Sequence, residues 1–450
     1  MHAPAPTQPS EPTEPARHEI VIVGGGAGGL ELATRLGNRL GRRRKARVTL
    51  VDAARSHLWK PLLFEVAAGS LDSYADRLEY LAQAHWHHFR FHLGRMDGLD
   101  RAQRVIHLAP TLDERGVEII PRRTLHYDTL VIAVGSVAND FGVPGVREHC
   151  AMLDTPEQAR DFHRRHINAC LQAHSRPETV QPAQLTVAIV GAGATGVELA
   201  AELHDTTREL STYGLERIDP DKNLRLVIIE AAERILPGLP PRLSAAVMTR
   251  LHDLGIAVHT GERVVEVRSD GLLTASGTFI AAGMLVWSAG IKAPDFLAAL
   301  DGLESNRIHQ LVVRPTLQTT RDDAIFALGD CAACPLPDGK GNVPPRAQAA
   351  HQQASLLVRS LRRRLRGKPL PAYRYRDYGS LVALGLFSPV GSLMGALIGG
   401  SVMIEGALAR LVYWSLHKMH QTALNGYYKT ALATLANLIN APNRVKIKLH

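Results

Sequence analysis

The stretch Glu19-Ile-Val-Ile-Val23-Gly24-Gly-Gly26-Ala-Gly-Gly29-Leu-Glu-Leu-Ala33 decides the fold. Ile20 to Val23 is a short β-branched run suited to a buried parallel strand. Gly24, Gly26 and Gly29 follow as G-x-G-x-x-G, and Leu30, Leu32, Ala33 and Leu36 then repeat at helical spacing. In that context each glycine has a task. Gly24 makes the tight turn, Gly26 lets backbone approach a pyrophosphate, and Gly29 lets helix and strand pack closely. The helix N-terminus supplies N–H groups and a positive dipole end. A second strand, Arg47-Val-Thr-Leu-Val51, ends at Asp52, where a ribose hydroxyl needs an acceptor. The plain alternative is a glycine-rich turn with no ligand. Strand, glycines, helix and terminal acid in this order argue against it.

The pattern recurs. Leu185 to Val190 reads as a strand, Gly191, Gly193 and Gly196 as the glycine turn, and Val197 to Leu203 as the helix. The strand Leu224 to Ile229 ends at Glu230, and an acid there repels a 2′-phosphate, so NADH is favoured over NADPH. Two cradles in one chain suggest two dinucleotides, one held and one exchanged. That is the logic of a flavoprotein reduced by a nicotinamide. The expected fold is therefore α/β, with two Rossmann-like dinucleotide-binding domains, one inserted in the other. Two more strands end in small residues, Tyr127 to Gly135 and Met284 to Gly290, where backbone can pass close to a cofactor.

The rest of the chain narrows the class. With 450 residues and 45% hydrophobic content it is long enough for several domains with sizeable cores. A net charge of +9 suits an anionic surface or acidic ligand, but aromatics are only 5% and no nucleic-acid signature accompanies the charge. Four cysteines (Cys150, Cys170, Cys331, Cys334) make no secreted disulfide framework. Residues His57 to Ser70 lack the cysteine pair of the disulfide reductases, and Cys331-x-x-Cys334 is one C-x-x-C without the ligands to complete a metal site, so no metal is expected. Residues 1–17 hold five prolines and almost nothing large and apolar, and read as a disordered leader rather than a signal peptide.

From residue 18 onward the chain resembles the type II NADH:quinone oxidoreductases, the single-subunit respiratory NADH dehydrogenases of bacteria. The carrying residues are His57-Leu-Trp-Lys60-Pro-Leu-Leu63, Gly191-Ala-Gly-Ala-Thr-Gly-Val-Glu198, Trp287-Ser-Ala-Gly290-Ile-Lys-Ala-Pro294 and, most selectively, Pro344-Pro-Arg-Ala-Gln348-Ala-Ala-His351-Gln352. Glycine-serine segments at Gly379, Val390 and Ser401 resemble the enterobacterial type. The resemblance implies bound FAD, NADH as substrate and quinone as acceptor, with ubiquinone favoured. It implies that Gln348 and Gln352 line the quinone site, where an amide can donate to a carbonyl gaining negative charge. It implies that Glu198 supports binding or proton supply, and that the Gly-Asp ending at Asp330 holds the flavin ribityl and pyrophosphate region. Lys60 can neutralise flavin or phosphate charge. His351 reads as structural or surface. A homodimer on the cytoplasmic face of the inner membrane, without proton pumping, is implied as well. Sulfide:quinone oxidoreductases are similar but need cysteines for sulfur transfer. A soluble protein acceptor and a non-catalytic redox sensor remain as rivals.

The domains expected are residues 18–150 and 310–375 for FAD, 151–309 for NADH, and 376–450 as a membrane-facing or dimer segment. Tyr378 to Ile404 has no charged side chain, but Pro389 and many glycines predict strands and turns rather than a spanning helix. Stripes at Leu408, Leu411, Val412, Leu416 and Met419, and at Tyr428, Ala431, Leu432, Leu435 and Ile439, precede a basic end at Arg444, Lys446 and Lys448. They suit an in-plane contact with an anionic membrane, or equally a core or dimer face.

Overall fold

The computed structural model describes residues 17–74, 77–175, 182–215 and 223–378, then the strands 380–382, 390–394 and 401–405, and residues 415, 418–419, 421–424, 426–440 and 447. The leader through residue 16, the stripe residues 408–416 and the basic residues of the end lie outside these.

The chain starts β1 (Glu19–Val23), α1 (Ala27–Leu36), β2 (Arg47–Asp52), α2 (Leu63–Ala68), α3 (Tyr80–His87), β3 (Arg90–Leu93) and β4 (Thr129–Ile132). It continues with α4 (Pro156–Ser175), β5 (Thr186–Val190), α5 (Ala194–Thr212), β6 (Arg225–Ile229), β7 (Ala257–His259) and β8 (Met284–Trp287). β9 (Ile325–Ala327) and α6 (Ala347–Arg364) follow. Last come β10 (Ser380–Val382), β11 (Val390–Met394), β12 (Ser401–Glu405) and α7 (Tyr427–Asn440).

Two parallel sheets organise the molecule, as the two motifs predict. The first has the order β9-β4-β1-β2-β3 and the second β7-β6-β5-β8. In each, the strand that carries the glycine turn is central, with its successor on one side and a later strand on the other. The order therefore reverses beside it, and the carboxyl end of that strand opens on a crevice. The apolar runs fit this position, since Ile20, Ile22, Val187 and Ile189 are all buried. Each unit also inserts a three-stranded antiparallel sheet before its last crossover, from Met96 to His126 in the first and from Val264 to Ala281 in the second.

The first sheet is discontinuous in sequence. β9 pairs with β4, and α6 packs along α1. The two chain crossings between the units, Val137–Ala138 and Ile291–Lys292, pair antiparallel with each other. The region read as strands and turns rather than a spanning helix contains the antiparallel ladder β10-β11-β12. Among the described residues no helix is long and apolar enough to cross a membrane. Ile447, within the basic end, is buried among Ile167, Cys170 and Leu210, so this point of the end packs on protein.

Candidate active site

The glycines of the first cradle are each fixed by a different contact. Gly24 has φ +102°, and a Cβ there would lie 2.3 Å from the Ala133 carbonyl oxygen. A Cβ on Gly29 would lie 1.9 Å from Gly24 O, so the helix can press onto its own turn only without a side chain. Gly26 is different, because no heavy atom lies within 4 Å of its would-be Cβ. Protein packing does not require that glycine. Its bareness keeps open the space before α1, whose N-cap has no side-chain hydrogen bond. These residues fit a pyrophosphate. Asp52 braces the turn, accepting from Gly25 N at 2.5 Å and Ala54 N at 2.7 Å. Burial raises its carboxyl above the usual range, and those N–H groups oppose the rise. A carboxylate has acceptor sites to spare for a ribose hydroxyl. Tyr80 closes one side by donating to Gly25 O at 2.8 Å.

The second cradle repeats the first. Gly191 has φ +104°, a Cβ on Gly196 would lie 2.1 Å from Gly191 O, and Gly193 has nothing within 4 Å. Glu230 accepts from Ala192 N at 2.7 Å and Ala232 N at 2.9 Å, the same two-point brace with one more methylene. Gly135 and Gly290, at the ends of the equivalent crossings, have φ +70° and +63°.

A third group gathers where the chain returns to the first sheet. Ser136 Oγ donates to Asp330 Oδ2 at 2.8 Å, and Gln310 Nε2 donates to the Asp330 carbonyl at 2.8 Å. Burial raises the Asp330 carboxyl, with the Ser136 hydroxyl and Lys60 charge pulling it back. Lys60 Nζ donates to Ser136 O at 2.8 Å and to Asp154 Oδ1 at 3.0 Å. Its charge is thus already shared with a carboxylate, and the structure places it in the Ser136–Asp330 group rather than over the glycine turn.

On α6 the two glutamines are engaged. Gln352 Nε2 donates to Arg376 O at 2.8 Å while its Oε1 accepts from Arg376 N at 3.1 Å. Gln348 Nε2 donates to Asp377 Oδ1 at 3.2 Å and its Oε1 accepts from Tyr378 N at 3.0 Å. Arg346 pairs with Asp377 at 3.0 Å. The amides read as quinone-facing therefore hold a strap of chain at residues 376–378. Their neighbour Gln353, not singled out from the sequence, is buried and accepts from Gly329 N at 2.7 Å, which fixes the Gly-Asp turn. His351, read as structural or surface, lies beside Glu31. Its Nδ1 meets Glu31 Oε2 at 2.5 Å, and Arg35 donates to Glu31 Oε1 at 2.5 Å. Glu31 stands two residues after the third glycine of its cradle, as Glu198 does in the other. Superposing the two motifs in sequence would have marked it. Glu198 is buried in the first turns of α5, a helix that packs against α2.

All four cysteines are free thiols. Burial pushes Cys331 up to about 12 and Cys334 to about 11, which keeps both protonated. Among the described residues no His, Cys, Asp or Glu cluster could hold a metal.

Comparison with known proteins agrees with this geometry. The family model described as pyridine nucleotide-disulphide oxidoreductase matches residues 18–354. A type II NADH:quinone oxidoreductase of Haemophilus influenzae is 43% identical over 96% of this chain and 99% of its own length. The type II NADH:quinone oxidoreductase Ndh of Mycobacterium tuberculosis is 28% identical over 96% of this chain and 89% of its own. Among solved structures, NDH2 from Plasmodium falciparum in complex with NADH superposes with a TM-score of 0.80 at 18% identity, covering 96% of this chain and 100% of the other. At that identity the likeness speaks for fold. The chain belongs to the pyridine nucleotide-disulphide oxidoreductase family and, within it, to the type II NADH:quinone oxidoreductases.

Proposed function

We propose that this chain binds FAD in the first cradle, oxidises NADH seated in the second, and passes the electrons to quinone. Membership of the family carries the activity and both dinucleotides. The observation that supports the assignment of cradles is a difference in crowding at the fourth residue after each first glycine. A Cβ on Gly28 would lie 2.5 Å from Leu328 Cδ1 of the returning chain, whereas the equivalent Thr195 is exposed. A covered cradle suits a resident cofactor and an open one an exchanging substrate. Residues 18–150 with 310–375 then form the FAD unit, and 151–309 the NADH unit.

FAD bound there would supply the two-electron chemistry, a hydride from NADH in and two electrons with two protons to quinone out. The protein supplies positions and charge. Gly26 and the α1 N–H groups take the FAD pyrophosphate, Asp52 the ribose, and the Asp330 turn the remainder of the cofactor, with Lys60 and Gly135 beside it. Gly193, Glu230 and Gly290 do the same for NADH. Glu198, buried at the head of α5, holds a proton or a polar contact near the nicotinamide. Gln348 and Gln352 brace the strap at residues 376–378 with one Nε2 hydrogen bond each, so a quinone that meets these amides meets that strap beside them.

We further infer a peripheral position on the cytoplasmic face of the bacterial inner membrane, contact with anionic lipid, a homodimer, ubiquinone as acceptor, and no coupled proton pumping. The exposed Tyr428, Leu432 and Leu435 of α7 support the membrane contact. The test is anaerobic. NADH should bleach the flavin of the loaded protein, and a short-chain quinone should restore its absorbance rapidly. Bleaching without recovery, with membrane quinones as well, would remove quinone as the acceptor and point to a soluble protein.

A further inference from the structure

We propose that the FAD-binding unit itself carries half of the membrane contact, a surface formed by α3, the loop Arg42-Arg43-Arg44-Lys45 and the adjoining face of α7, and that its occupant is an anionic phospholipid bilayer. The proposal deepens the membrane reading above and rests on it.

Three observations meet at this surface. First, α7 wears its apolar side outward. Tyr427, Tyr428, Leu432 and Leu435 are 86%, 78%, 51% and 56% exposed, while Thr430 is buried. The threonine hydroxyls are spent on the helix itself, Thr430 Oγ1 donating to Gly426 O at 2.8 Å and Thr434 Oγ1 to Thr430 O at 2.7 Å. A helix with its outer face in water shows the opposite pattern. Second, the FAD unit extends that face. Leu81 and Trp86 on the outer side of α3 are 70% and 54% exposed, and Lys429 of α7 stands 4.7 Å over the Trp86 ring. A tryptophan and a leucine beside a lysine suit the headgroup boundary.

Third, the rim is basic. Arg42, Arg43, Arg44 and Lys45 are all exposed. Their loop backs directly on the end of α3, since a Cβ on Gly37 would lie 2.1 Å from His87 O and one on Gly41 would lie 2.1 Å from His88 O. Asn38 adds a side-chain contact to His87 at 3.0 Å. An apolar centre with a cationic rim is the two-signal arrangement that gives lasting attachment to anionic lipid, where either signal alone is weak. A second copy of this chain would bring the same four cations against the same surface, and like charge disfavours that pairing.

The experiment is vesicle flotation of the full, FAD-loaded chain, with phosphatidylcholine vesicles and with phosphatidylcholine–phosphatidylglycerol vesicles. The variants are Arg42→Gln/Arg43→Gln/Arg44→Gln and Leu81→Ser/Trp86→Ser, both outside the cradles, with unchanged flavin bleaching by NADH as the folding control. Wild type should float with the anionic vesicles and be released by salt. The triple variant should lose about a hundredfold in partition to anionic vesicles and little to neutral ones. The double variant should weaken both. Wild type that floats while both variants float equally well overturns the inference and leaves the membrane reading intact. Wild type that does not float overturns the membrane reading itself. Hydrogen-exchange protection of residues 80–88 in a dimer without vesicles would assign the surface to a second copy instead.

Discussion

The two cradles are nearly superimposable in their glycines and differ in everything around them. Both turns have a left-handed first glycine, a pinched third and an open second, and both are braced by one acid on two N–H groups. The first, however, is enclosed. Tyr80 holds the Gly25 carbonyl, Leu328 covers Gly28, and His57 is buried against the Gly25 backbone. In the second, the equivalent carbonyl of Ala192 is taken by Leu236 N at 2.8 Å, and Ala194 and Thr195 face outward. On the proposed assignment, what later chain does over it makes one motif a store and the other a port. The glycines set where a pyrophosphate sits, and the surroundings set how long it stays.

The largest effects should come from filling the open glycines. Gly26 and Gly193 have φ −64° and −71° with extended ψ, so a valine strains neither. Gly26→Val should leave the protein folded but flavin-free and inactive. Gly193→Val should keep its flavin and raise KM for NADH about a hundredfold, because the same clash now falls on the exchanging ligand. Equal flavin loss in both variants would break the comparison.

Acid sensitivity is shared by the two units. His57 in the first unit and His166 in the second are buried, with pKa values brought down to about 4 by burial. Each binds its proton more readily unfolded. Its stabilising share is therefore intact above about pH 6.5 and is lost as pH falls toward 4, by on the order of 3 kcal/mol per histidine. Urea midpoints between pH 7 and 4.5 should record the decline, and His57→Gln or His166→Gln should flatten it.

The acids give a smaller effect. Glu230→Gln should raise KM for NADH about tenfold and narrow the preference over NADPH, with flavin content untouched. Asp52→Asn should instead loosen flavin. Smallest is Tyr80→Phe, which removes one neutral hydrogen bond worth about 1 kcal/mol and should speed flavin loss about fivefold on dilution. In the open cradle the equivalent carbonyl is held by Leu236 N, a backbone donor that no side-chain substitution removes.

What was legible in the sequence follows from the range of the forces involved. The strands, glycine turns and terminal acids are local, and each lies within three residues of its expected place. The return of the chain to the first sheet just before Asp330 matches what the family resemblance of the Gly-Asp ending implies. Partnerships between distant segments were not legible. Nothing near Lys60 announces Asp154, and nothing near Glu31 announces His351. The two glutamines show the limit most plainly, since spacing put them on one helix face but could not say that residues 376–378 lie over it. Gln353, one position further on, turns the other way and holds Gly329.

The return of the chain has a consequence for synthesis. Ser136 and Asp330 are 194 residues apart. At about 5–20 residues per second, the ribosome needs roughly ten to forty seconds to deliver the second after the first. Throughout that interval β4 is an uncovered sheet edge, while β5 through β8 are all made within it, the last ending at Trp287, and can complete a parallel sheet of their own before β9 appears. The port is therefore ready before the store. On that assignment FAD would find its enclosure only when β9 and α6 emerge, which would make cofactor supply a concern of the last stretch of translation.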